Sequence, residues 1–179
     1  MASVRANDRH SRAAIGGHPI HPMLVPFPIA FLVGALASDL AFWGTGDPFW
    51  ARASEWLLGA GLVMGSLAAV AGLIDFLSIR EARAVAAGWV HFLGNATAMI
   101  LALWNLVQRL TGDPTAILPG GLILSALVVV IFLVTGWLGG ELVFRHRIGV
   151  RDADVPIPLG YSGANVDAPR PGPRSGTHG

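Results

Sequence analysis

The sequence predicts an all-α integral membrane protein, a four-helix up-down-up-down bundle with disordered N- and C-terminal tails. Three observations carry this reading. Four long apolar runs fill most of 179 residues, only 13% of the residues are charged against 53% hydrophobic, and Trp and Arg gather at the edges of the runs. Soluble domains carry about 25% charged residues. A single soluble core in a chain of this length cannot hide so much apolar surface. Lipid must solvate most of it.

Residues 1–17 read as an N-terminal cytoplasmic tail and residues 18–150 as the transmembrane domain. A spanning helix needs about 20 mainly apolar residues. Four stretches qualify, at about 23–43, 55–79, 85–110 and 120–144. Asp47-Pro48 and Asp113-Pro114 are turn or N-cap signals between spans, and Thr111-Gly112 ends the third. Trp43, Trp50, Trp56 and Trp104 fall toward one membrane face, and Trp89 and Trp137 toward the other, as aromatic belts do. Residues 151–179 are rich in Pro and Gly without apolar periodicity, notably Val155–Gly160 and Pro169–Arg174. Such composition buries too little surface to offset its ordering entropy, so disorder is expected.

Ala35-Leu36-Ala37 resembles a signal-peptide cleavage site. The polar lead of about 22 residues and the apolar run continuing to Trp43 favour a retained span instead. Four spans put both termini and the loop between spans two and three on one side. That side holds ten arginines (5, 9, 12, 80, 83, 145, 147, 151, 170 and 174), and the other only Arg52 and Arg109. The asymmetry predicts a bacterial inner membrane protein with both termini cytoplasmic.

Several function classes are excluded. The formal net charge of +1 gives no reason to expect nucleic acid. Absence of cysteine removes disulfides, thiolate-bound zinc, iron–sulfur ligation and a thiol nucleophile. Absence of lysine removes the phosphate-binding loop, and no G-x-S-x-G elbow occurs. Ser38, Ser66, Ser125 and Thr135 read as packing or backbone-bonding residues rather than nucleophiles. The balance leans away from an enzyme.

Gly61, Gly65, Ala68, Gly72 and Asp75 share one stripe of the second span, and His91, Gly94, Asn95, Ala98 and Ala102 share one on the third. Gly136 and Gly140 make a G-x-x-x-G pair on the fourth. Small residues let helices approach closely in lipid, so these are expected packing faces, with Asp75 and His91 turned into the bundle. A weak duplication relates Gly17-His18 to Gly88–His91, and Gly72–Asp75 with Arg80 to Gly140-Glu141 with Arg145. Two such hairpins would be related by an axis along the membrane normal.

The bundle topology gathers His18, His21, Asp75, Arg80, His91, Glu141, Arg145 and His146 at the cytoplasmic end. Ionisable groups at the edge of lipid mark a functional site by default. Plainer roles stand beside that one. His18 and His21 would cap a helix or bind headgroups, Asp75 would pair with Arg80 or Arg83, Glu141 with Arg145, and His146 would join a basic run. Asn95, one turn from His91, would orient it. Imidazole with carboxylate suits a transition metal, and two neutral histidines also ligate haem b, with arginines meeting the propionates. The expected cofactor-binding set is therefore His18, His21, Asp75, His91, Asn95, Glu141, Arg145 and His146. His21 and His91 are the principal ligands, His18 and His146 additional ones, and Asp75 the orienting carboxylate. Electron transfer or redox sensing would follow. The alternatives are a non-catalytic, partner-docking scaffold, or a small-ion or proton transporter relaying through Asp75, His91 and Glu141, which would need a homo-oligomer.

The run Gly17–Ala30, GHPIHPMLVPFPIA, resembles the signature of a bacterial family of uncharacterised four-span membrane proteins, a domain of unknown function. The resemblance continues through Gly72–Asp75, His91 with Asn95, and Gly139–Val143 followed by His146, over about residues 16–150. This chain has His146-Arg147, with Gly149 beyond, where the last motif of the family has His-Gly. The resemblance implies redox membrane chemistry, with Rieske or cytochrome-type proteins as partners.

Overall fold

The computed structural model describes residues 10–111 and 116–149. The predicted tail after residue 150 and the Asp113-Pro114 signal lie outside them. A short hairpin comes first, β1 (Ala14–Ile15) paired antiparallel with β2 (His18–Pro19). Its turn residues Gly16 and Gly17 have φ of 56° and 87°, the left-handed region that a two-residue turn of this kind requires. The sequence reading assigns residues 10–17 to the tail. They take this ordered shape because Asp75 holds them, as described below.

Helix α1 (Ile20–Leu24) runs into α2 (Pro26–Thr45), the two forming one apolar rod. Gly46 stops α2 in a left-handed conformation, φ 69°, and its N–H bonds the Phe42 carbonyl. Helix α3 (Pro48–Ser78) starts at the predicted signal: the Asp47 carboxylate accepts the Phe49 N–H at 2.9 Å and Pro48 follows the cap. That cap begins the second span several residues before the expected 55. A short connector, α4 (Arg80–Ala84), leads to α5 (Ala86–Leu110). A kinked turn, Ile117–Gly121, in which Leu118 is extended (φ −123°, ψ 129°), opens α6 (Leu122–Phe144). Four helical rods are thus long and apolar enough to cross a membrane.

Helix α2 packs on α3 and α6, while α5 packs on α6 and α3. Helices α2 and α5 are therefore diagonal partners, as are α3 and α6. Leu32, Ala35, Leu58, Ala98, Ala102, Val128 and Phe132 form the core. Large apolar side chains point outward instead, among them Trp43, Trp56, Leu133 and Trp137. That inside-out distribution suits a lipid solvent. The small residues act as predicted on two spans. A Cβ at Gly61 would lie 2.7 Å from Leu32, and one at Gly94 would lie 2.5 Å from Thr135. On α6 the prediction is corrected: Gly136 has nothing within 4 Å, and Gly139 is the residue pressed against another helix.

Candidate functional site

The apolar bundle carries two polar layers, one at each end. At the end shared by residues 10 and 149, the chemistry starts from two imidazoles. His21 Nδ1 lies 2.8 Å from the Ala68 carbonyl on α3, and His91 Nδ1 lies 2.7 Å from the Thr135 carbonyl on α6. A carbonyl only accepts, so both Nδ1 atoms carry a proton, and in the neutral imidazole this leaves the lone pair on Nε2. Each carbonyl sits four residues before a glycine that meets the ring. A Cβ at Gly72 would fall 2.8 Å from His21, and one at Gly139 would fall 3.0 Å from His91. Histidine, helix carbonyl and glycine thus form the same staple twice, once in each hairpin. The two rings face each other with centroids 6.3 Å apart and planes at 85°.

The repeat relates His21 to His91 and Gly72 to Gly139, a register different from the predicted pairing through His18 and Gly140. Thr135 also donates its hydroxyl to the Asn95 side chain, at 3.2 Å. Asn95 in turn bonds the backbone carbonyl of His91 at 2.7 Å, and so braces the helix rather than the imidazole.

The other predicted members are placed elsewhere. Asp75 takes the Ser11 hydroxyl and the Arg12 and Ala13 amides at 2.8 to 3.0 Å, pinning the residue 10–19 strap to the end of α3. It bonds neither imidazole, nor Arg80 or Arg83. The strap it pins leads directly into α1, the helix that carries His21. His18 lies exposed on β2. Glu141 and Arg145 form an exposed pair at 3.1 Å, the plain helix-surface contact. His146 follows the end of α6, where its backbone N–H bonds the Glu141 carbonyl. Two of the four histidines are therefore brought together. Among the described residues, no three His, Asp or Glu side chains form a metal-binding group.

At the opposite end the sequence marks only Asp39, as a carboxylate that pairs or snorkels, and not the residues that surround it. Asp39 on α2, Ser54 on α3, Asn105 and Arg109 on α5 and Ser125 on α6 are all buried. Arg109 Nη1 and Nη2 grip the two Asp39 oxygens at 2.8 and 2.9 Å. Ser54 accepts from Arg109 at 2.8 Å and donates to Asp39 at 2.6 Å. Ser125 accepts from Asn105 at 2.9 Å and donates to the other Asp39 oxygen at 2.6 Å. Asn105 accepts from Arg109 Nε at 3.0 Å and donates to the Gly121 carbonyl at 3.0 Å. The carboxylate thus receives four donors, and each hydroxyl both accepts and donates. A buried pair satisfied in this way is stable where an unpaired charge is not. One sequence signal was available: Asp39 lies 18 residues after His21 and Arg109 lies 18 after His91. Eighteen residues make about five helical turns, so each polar residue returns to the face of its histidine.

A family model described as predicted membrane protein (DUF2231) matches residues 17–152. No curated protein and no solved structure matches the chain.

Proposed function

The chain belongs to the DUF2231 family of predicted membrane proteins, and from that premise we propose that it binds a redox cofactor between its hairpins. It would serve electron transfer or redox sensing in a bacterial inner membrane, with both termini cytoplasmic. The supporting observation is the His21–His91 pair: two imidazoles at 6.3 Å, each with its Nδ1 proton committed to a carbonyl. Locking one nitrogen in this way fixes ring orientation and leaves the other as a ligand.

The donor set discriminates between cofactors. A zinc-like ion takes about four ligands, and two imidazoles leave it short. Haem b supplies four nitrogens itself and takes two axial ligands. Haem b is therefore the first choice and a low-coordinate transition metal the second. Arg145 and the other arginines of this end would meet the propionates, and the bound group would supply one-electron chemistry. Rieske or cytochrome-type proteins would be the exchange partners.

The apolar core disfavours a proton or ion relay. By sequence position its residues lie between the two polar layers, and Asp75 and Glu141 are already engaged elsewhere. A non-catalytic scaffold is the second reading, favoured because the two staples already give both imidazoles a packing role.

The test is purification of the full chain in detergent after expression with haem and metals supplied. A Soret band or stoichiometric metal, lost in both His21→Ala and His91→Ala, is expected. A wild-type protein with neither overturns the proposal, and a variant that only loses stability identifies the scaffold.

A further inference from the structure

Beside the histidine end, an open groove runs down the outside of the bundle. Its floor is Leu67, Val70, Ala71 and Ile74 of α3, and Leu24 of α1 forms part of the opposite wall. The α3 residues follow the i, i+3, i+4, i+7 spacing of a single helical stripe, about 10 Å long. Leu67, Val70 and Ile74 are exposed, at 52%, 61% and 45%. Arg12, Ala13 and Ala14 of the strap line the groove at the Ile74 end, where Asp75 holds the Arg12 and Ala13 amides.

The charge on Arg12 is available. Its backbone N–H is fixed on Asp75 at 2.9 Å, and its guanidinium makes no salt bridge among the described residues. Asp75 is occupied by strap donors. An exposed guanidinium on a strap whose backbone is pinned, at the head of an apolar trough, is complementary to a group with an anionic head and an aliphatic tail. Guanidinium matches phosphate oxygens in a planar, two-point contact.

We propose that this groove is a binding site for one anionic glycerophospholipid, its phosphate on Arg12 and an acyl chain along Leu67, Val70 and Ile74. The lipid would lie against the strap that leads into His21. This site stands independently of whether the histidines hold a cofactor.

The test is native mass spectrometry of the full chain released from nanodiscs containing equal phosphatidylglycerol and phosphatidylcholine. Wild-type protein should retain one phosphatidylglycerol about five-fold over phosphatidylcholine, the effect of one arginine on an anionic head. Arg12→Gln should erase that preference while leaving the fold intact by circular dichroism. Val70→Trp, on the floor of the groove, should lower retention of both lipids. Equal retention by the wild type, no retained lipid, or a preference unchanged in Arg12→Gln overturns the proposal.

Discussion

Arg109 holds both oxygens of Asp39 across the diagonal of the bundle, and it is the only direct charge pair linking α2 to α5 among the described residues. Each partner comes from a different hairpin, so the contact ties the two halves of the chain together at the end remote from the histidines.

Removing one partner leaves the other charge buried. Asp39→Ala and Arg109→Ala should each destabilise the protein by about 3–5 kcal/mol. The double variant should lose less than the sum, because it strands neither charge. Denaturant unfolding in detergent measures all three. Additive losses would show that the pair is not coupled.

The glycine beneath each imidazole makes a matched prediction for the two hairpins. Gly72→Ala and Gly139→Ala insert a Cβ 2.8 and 3.0 Å from the rings. Each should cost about 1–3 kcal/mol through overpacking. Adding Gly72→Ala to His21→Ala should cost far less than in the wild type, since the obstructed ring is gone. Thermal unfolding of the four combinations checks it.

Asp75 acts on the strap. In Asp75→Ala the Ser11, Arg12 and Ala13 donors lose their acceptor, and trypsin should cut after Arg12 several-fold faster than in the wild type. A time course by mass spectrometry reads the rate, and an unchanged rate would place the restraint elsewhere.

The chain has no cysteine, so a single introduced thiol reports orientation. Phe49→Cys should react with an impermeant maleimide in intact cells, and Arg83→Cys only after the membrane is opened. The reverse pattern would invert the arginine-based topology.

The apolar architecture was legible because lipid demands it. Run length, the Asp47-Pro48 cap and outward tryptophans each follow from local sequence. The site was only half legible. His21 and His91 could be paired because each opens a hairpin, whereas His18 was carried off by the Gly16-Gly17 turn and His146 lies past the end of α6. Asp75 was read as an imidazole partner, but its oxygens are taken by the Ser11 hydroxyl and the Arg12 and Ala13 amides of a segment that its composition does not mark as ordered. Asp39 and Arg109 lie 70 residues apart on diagonal helices, so their contact depends on packing, and the 18-residue interval shows only that each shares a face with its histidine.

The 18-residue interval that joins each histidine to its distant charged counterpart makes both rods sensitive to length. One residue inserted between His21 and Asp39 would turn everything beyond it by about 100°, aiming Asp39 away from Arg109 while His21 kept its place. Substitutions in that stretch alter packing by degrees, but insertions and deletions break the phase between the two ends at once. In this fold, changes of length belong in the connections, and the two long rods must hold their count.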